Sequence, residues 1–231
     1  MNTPTLVASG FSRKRPVASG FSRKKLAAIV VVALMMAIPA EAQTDFMLRG
    51  FGDVGWRTFT AAESFKAVLG SDRGMVFGGG AEVVLPWRIF ANVRASRFRE
   101  TGERLFIFND EQFDLGIPTT ITVTPIELTG GYRFDFGSRV VPYAGAGVGW
   151  HQYEETSQFA ESSENVKERF TGYHVLGGVE VRAASWLGAA FEAQWATVPD
   201  ALGSDPNGVS AEFDESDLGG VTARVKFVIG R

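Results

Sequence analysis

Twelve charged residues recur on one parity of a series of alternating stretches: Arg49, Asp53, Arg57, Glu82, Arg94, Glu127, Arg133, Glu180, Arg182, Glu192, Arg224 and Lys226. Seven are cations and five are carboxylates. Charges of both signs gathered on one face can do two kinds of work. They can pair and fill an interior, or they can line a narrow path for ions. The chain has two histidines, His151 and His174, on the same parity. Their numbers straddle the segment 154–168 evenly, which predicts cross-strand neighbours at a rim. Two imidazoles could share a metal ion or respond to pH. No third ligand is evident, so they are read as polar lining, with no metal or cofactor implied.

Other chemistry finds little footing. There is no cysteine, hence no disulfide, thiolate site or cysteine nucleophile. A lipid-modifying esterase needs a histidine, a serine and an acid turned towards lipid, whereas both histidines share the charged parity. No catalytic residue is therefore assigned. The string GFGDVG at 50–55 resembles a phosphate loop only superficially, because it lies in an alternating stretch with no helix after it. The acidic cluster Glu212, Asp214, Glu215 and Asp217 lacks the spacing of a helix–loop–helix calcium site. It reads as a solvated surface.

The elements that must position these charges are strands. Leu187 to Thr197 reads LGAAFEAQWAT, with Leu187, Ala189, Phe191, Ala193 and Trp195 on one parity and Glu192 and Gln194 on the other. A period of two puts successive side chains on opposite faces of a strand. Eight such stretches are expected, at about 45–59, 74–86, 88–99, 119–134, 140–153, 169–183, 186–197 and 218–230. The connections alternate. Those at 86–88, 135–139 and 183–186 are tight, and those at 60–73, 100–118, 154–168 and 198–217 are long and polar. Ile121 and Val123 fall out of phase with Ile126 and Leu128, which predicts a bulge at Thr124-Pro125.

Compartment follows from the first segment. Six basic residues between Arg13 and Lys25 precede an apolar run, Leu26 to Ile38, and then Ala40-Glu41-Ala42. This is the pattern of a secretory signal peptide over 1–42, leaving a domain at 43–231. Without the leader, 17 basic residues stand against 25 acidic ones. That acidity argues against a nucleic-acid partner. The remaining chain has no apolar run long enough for a membrane helix. If it spans a membrane it must do so as a closed barrel, since lipid leaves no other way to satisfy the backbone.

The aromatics and the apolar parity fit that solution. Trp56, Trp150, Tyr173 and Trp195 fall at the long-loop end of the strands, and Trp87, Tyr132, Phe134, Trp186 and Phe227 at the short-turn end. Two such bands are what a membrane barrel places at its two interfaces. Opposite the charges lie Ile89, Val93, Ile126, Val179, Phe191, Val225 and others. A charge facing mid-bilayer is costly, so the charged parity is assigned to the lumen. An eight-stranded barrel has an interior only wide enough for side chains, which favours a charged plug over a channel.

The segment VVPYAGAGVGW at 140–150 resembles the proline-tyrosine-glycine strand of OmpA-like small outer-membrane barrels. TPIELTGGYRF at 124–134 and VLGGVEVR at 175–182 are similar to neighbouring strands of that domain. The resemblance implies an all-β fold: an eight-stranded antiparallel up-and-down transmembrane barrel, inserted in the outer membrane by the barrel assembly machinery. Its surroundings would be outer-membrane lipid and lipopolysaccharide. The expected state is a monomer with periplasmic termini and extracellular long loops. Such chains usually end on an aromatic, whereas Phe227 here precedes Val228-Ile229-Gly230-Arg231. The peptidoglycan-binding domain of OmpA itself is not expected. A structural or surface-interaction role follows, with a small passive channel as the alternative.

Overall fold

The computed structural model describes residues 46–108, 111–157, 166–202 and 209–230. The expected leader lies outside the described residues. Eight strands follow in order: β1 (Met47–Phe59), β2 (Arg73–Val84), β3 (Ile89–Phe108), β4 (Glu111–Arg133), β5 (Val140–Ser157), β6 (Val166–Ala184), β7 (Leu187–Thr197) and β8 (Gly220–Gly230). Each pairs antiparallel with its neighbours in sequence, and β8 pairs back to β1, as at Val54 opposite Val225. The sheet is a closed barrel, so it has no free edge through its common height.

Short connections gather at one end. The β2–β3 turn passes through Trp87 and Arg88, both at left-handed φ of 64° and 68°. Leu85 N–H closes it on the Ile89 carbonyl at 2.8 Å. In the β4–β5 turn Gly137 takes a φ of 78°, and its N–H donates to the Asp135 carboxylate at 2.9 Å. Burial opposes the charge on Asp135, but the Gly137 N–H and the Arg182 guanidinium outweigh it and hold the carboxyl below the usual carboxylate range.

The other end departs from the sequence expectation in three ways. First, strand pairing extends into both 100–118 and 154–168. β3 and β4 continue as a hairpin to Phe108 and Glu111, and β5 and β6 reach Ser157 and Val166. The alternation of apolar residues stops at the bilayer, but backbone pairing needs no lipid and polar β-branched residues such as Thr119, Thr120 and Thr122 sustain it. One side of the wall, β3–β6, is therefore taller than the other. Second, the two remaining loops contain helices: α1 (Ala62–Leu69) after β1 and α2 (Val209–Glu212) before β8.

Third, there is no bulge at Thr124-Pro125. Val123 faces Tyr153 and Ile126 faces Trp150 in one unbroken β4–β5 register. On the other flank the β3–β4 pairing passes from Ala95–Ile126 to Phe98–Val123, skipping the rungs at Pro125, which has no N–H to give. Ile121 and Val123 instead lie on the lumen side, both fully buried. The apparent phase change is a change in what the lumen contains. Register shifts do occur, at Glu103/Leu105 and at Arg182/Ala184.

Sidedness follows the parity. Arg49, Asp53, Arg57, Glu82, Arg94, Glu127, Arg133, Glu180, Glu192, Arg224 and Lys226 are buried inside. Leu48, Phe77, Val93, Phe191, Val225 and Ile229 stand exposed on the outer wall. An arginine at Phe191 or Val225 should weaken folding into phosphocholine vesicles by about 2–4 kcal/mol if the site lies near the midplane. The measurement is a urea titration with Phe191→Leu and Val225→Leu as matched apolar controls. Arginine and leucine variants of equal stability would invert the assignment of the two faces.

Candidate functional site: the charged lumen and its cap

Cross-strand registry brings opposite charges side by side. Arg49 faces Glu82, Asp53 faces Lys226, Arg94 faces Glu127 and Glu192 faces Arg224. Most of these side chains also reach across the lumen and gain partners beyond their registry neighbours. In the layer nearest the turns, Arg49 clasps Glu180 through two hydrogen bonds of 2.9 and 2.6 Å and lies 2.9 Å from Glu82. Arg133 bridges the same two carboxylates at 3.3 and 2.9 Å. Lys226 Nζ donates to Glu82 at 3.1 Å. Three cations thus share two glutamates.

The middle layer inverts that ratio. Arg94 lies 3.3 Å from Asp53 and 2.7 Å from Glu192, and donates to Gln194 at 3.3 Å. Gln194 passes the connection on, donating to Glu127 at 2.6 Å. Arg224 lies 3.7 Å from Glu192. The Tyr143 hydroxyl donates to the other Glu192 oxygen at 2.9 Å. Two cations here face three carboxylates, so the two layers together balance. Opposite charges in a space this dry attract far more strongly than in bulk water, and each one lacking a partner would be costly.

The aromatic rings of the lumen lie across glycines. The Tyr143 ring covers Gly178, where an added Cβ would fall 2.5 Å from it. Lys226 Nζ sits 4.1 Å from the centre of the Phe51 ring and the Arg94 guanidinium 5.3 Å from the same ring. These cation–π contacts share the rings between the two charged layers. Close approach to a bare backbone explains why glycine alternates with charge along these strands.

The histidines lie towards the loop end but are not cross-strand neighbours. His151 faces Phe170 and His174 faces Gly147, four positions out of step with an opposed pair. The stagger arises because the β5–β6 register does not centre on the midpoint of 151 and 174. His174 Nε2 lies 2.9 Å from the Thr129 hydroxyl, and its Nδ1 lies 4.0 Å from Glu127. Among the described residues no group of three or more His, Cys, Asp or Glu is placed to hold a metal ion.

Beyond the histidines the lumen turns apolar. Phe59, Phe65, Val76, Phe98, Ile121, Val123, Val198 and Leu218 form one buried cluster together with other residues of both helical loops. Phe65 of α1 stacks on Phe59 with centroids 3.9 Å apart. Arg57 marks the boundary, donating to the Leu218 carbonyl at 3.0 Å with its guanidinium 4.8 Å from the Phe59 ring centre. This cap was not legible as such, because half of it, including Phe65, Val68, Val198 and Val209, falls in expected loops, and nothing in the strands showed that those loops fold inward. The one sequence signal was the out-of-phase pair Ile121 and Val123.

Part of the acidic cluster proves structural. Glu215 accepts from the backbone N–H groups of Glu63 and Ser64, at 3.1 and 2.8 Å, and from the Ser64 hydroxyl at 2.6 Å. It thereby caps the start of α1, whose own N-cap, Ala61, supplies no side chain. Asp217 accepts from the N–H groups of Val198 and Gly219 and from Thr197. Glu212 and Asp214 remain exposed.

Arg182 stands apart from the lumen layers. It lies at the turn-end rim, bonded to Asp135 and 3.9 Å from Glu180. Beside it a cavity of about 300 Å³ opens, lined by Met47, Arg49, Glu180, Trp186 and Val228 among others, with the Arg49–Glu180 pair in its wall. The aromatic positions divide as the strands do. Trp56, Trp150, Tyr173 and Trp195 are exposed on the outer wall towards the loops, and Trp87, Tyr132, Phe134, Trp186 and Phe227 towards the turns.

A closed antiparallel barrel, apolar outside and charged within, defines the class of outer-membrane barrel proteins. Residues 26–219 match the family model described as the outer membrane protein beta-barrel domain, and the chain belongs to that family. No curated protein matches the chain. Among solved structures it is similar to Neisserial surface protein A, at 11% identity and a TM-score of 0.47 over 80% of this chain and 95% of that one. It is similar to the N-terminal barrel of Pseudomonas aeruginosa OprF, at 12% identity and 0.43 over 80% and 97%. It is also similar to the Pseudomonas aeruginosa outer membrane protein OprG, at 13% identity and 0.44 over 80% and 92%.

Glu192 joins Arg94, Arg224 and Tyr143, so its removal should be felt throughout the middle layer. Glu192→Ala takes from the buried Arg224 guanidinium its ion pair and leaves Arg94 with Asp53 and Gln194, and should cost about 3–5 kcal/mol. Glu192→Gln keeps an acceptor for Tyr143 and should lose less. Urea midpoints in vesicles check the order, and equal midpoints for all three proteins would remove Glu192 from the centre of the network.

Proposed function

We propose that this outer-membrane barrel is sealed, non-catalytic and structural or surface-interacting, with its turns and termini in the periplasm and its loops outside the cell. The observation that carries the reading is the filled lumen: two ion-paired layers in series with an apolar cap. An ion crossing it would have to part several charge pairs together and then enter an apolar cluster, each at a desolvation cost. Tight turns gathered at one end, against helical loops and extended hairpins at the other, support the orientation, since bacterial barrels put their short turns in the periplasm. The exposed aromatics at both ends would sit at the two membrane interfaces. In this reading the protein works as a monomer amid lipid and lipopolysaccharide, needs the barrel assembly machinery to insert, and binds no nucleic acid.

Planar-bilayer recording of refolded protein tests the seal. The wild type should give small, rare events, and Glu127→Ala or Arg133→Ala should raise their frequency or size. A large, steady wild-type conductance would reject the seal in favour of a passive channel. Orientation is tested separately by single cysteines on whole cells. Lys66→Cys and Glu212→Cys should react with an impermeant reagent, and Ser185→Cys only once the outer membrane is opened. Labelling of Ser185→Cys on intact cells would turn the barrel over.

A further inference from the structure

The outer wall differs from one side to the other at the loop end. On β7, β8 and β1 the last outward positions are Trp195, Thr197, Val221, Trp56 and Thr58, none of them charged. On the taller side the wall continues past the row of Ile126 and Trp150. In the next outward row Arg97 stands beside Thr124, Thr124 faces Gln152, and Gln152 faces Arg169. In the row after that Arg99 faces Thr122, Thr122 faces Glu154, and Glu154 faces Lys167. Four cations, Arg97, Arg99, Lys167 and Arg169, are thus grouped around one carboxylate, and all four are exposed.

Their arrangement is partly built. Glu154 pairs with Lys167 and accepts from Gln152 at 2.8 Å, while Arg169 donates to Gln152 at 3.3 Å. Those contacts fix the β5–β6 side of the patch. Among the described residues the side chains of Arg97 and Arg99 make no hydrogen bond, and Arg97 acts on Glu154 only through space, which leaves their donors available. With a rise of about 3.4 Å per residue the two rows lie roughly 7 and 14 Å beyond the Trp150 row. That depth is where the apolar belt gives way to headgroups. Three strand spacings separate Arg97 from Arg169, roughly 14 Å, a span suited to a disaccharide carrying a phosphate at each end.

We propose that this sector is a docking site for the phosphate groups of lipid A, the glycolipid of lipopolysaccharide in the outer leaflet. Arginine offers phosphate a forked set of donors, and two guanidinium groups stand free to do so. The half-buried Thr124 and Gln152 between the cations would meet sugar rather than acyl chain. The inference rests on the proposed orientation only for which leaflet reaches the patch.

Native mass spectrometry of the detergent-solubilised chain tests the chemistry without reference to orientation or conductance. The probes are bisphosphorylated lipid A, the same lipid without its phosphates, and phosphatidylglycerol. Wild type should retain the bisphosphorylated form preferentially. Arg97→Gln/Arg99→Gln and Lys167→Gln/Arg169→Gln should each weaken retention by about tenfold, as loss of two interfacial cations predicts. Arg88→Gln/Arg139→Gln, at the turn end, should not. Heat-modifiable gel migration confirms that each variant is folded, and two separate double variants keep the test open if one is not. Undiminished binding in both double variants, or equal retention of phosphatidylglycerol or dephosphorylated lipid A, would overturn the site.

Discussion

Closing eight strands into a ring fixes how much can fit inside it, and most of the structure answers that constraint. The lumen is wide enough for side chains and little else. Every inward residue must meet others across the axis. Inward charges therefore have to come in compensating sets, since a lone one would face a large desolvation penalty. Arg49, Arg133 and Lys226 share Glu82 and Glu180, Arg94 and Arg224 share Glu192, Asp53 pairs with Arg94, and Gln194 links Arg94 to Glu127. Neither layer is neutral alone, so each is incomplete without the other. The glycines under Tyr143 and His174 belong to the same economy of space.

The lumen is also graded along its axis. Charges fill the part level with the membrane, imidazoles follow, and an apolar cluster ends it. The gradient inverts that of a soluble ligand-carrying barrel, whose apolar interior faces a cavity. Here the apolar portion sits where α1 and α2 fold into the mouth, and a hydrophobic cluster is the means by which loops can pack against a barrel at all. Glu215 contributes polarity where it is needed, at the otherwise uncapped start of α1. An acidic loop residue thus stabilises a helix from another loop.

The fold was legible because lipid enforces a strict code. Where both faces of a strand have obligatory partners, parity alone assigns nearly every side chain, and eleven of the twelve charges, all but Arg182 at the rim, could be placed inside without a structure. Registry could be inferred locally but not partners. That Arg94 reaches Glu192 and Asp53 rather than its neighbour Glu127 depends on the curvature of the ring, which no short window of sequence contains. Outside the membrane the code lapses. Thr101 and Thr120 can pair in a hairpin as readily as they can sit in a loop, and 100–118 gave no sign of which. Pro125 misled for the same reason: a lost rung and an inserted residue look alike in a pattern. Phe65 read as a loop residue because nothing in 60–73 announces the helix that stacks it on Phe59 and sets it against Phe98.

The contacts that gather around Glu215 have a bearing on how the ring closes. β1 and β8 are the first and last strands, and their pairing is the seam that turns a sheet into a barrel. The loops that follow β1 and precede β8 are the two that Glu215 joins. Thr60 N–H also donates to Gly219 at 3.2 Å, and Arg57 to Leu218 at 3.0 Å. Five hydrogen bonds therefore cross the seam at its upper end, counting three to Glu215, in addition to the ladder itself. They join the segments most distant along the chain, whose meeting carries the largest loss of chain entropy. The cap is thus a clasp as well as a stopper: it forms only when the two ends of the sheet have met, and once formed it resists their parting.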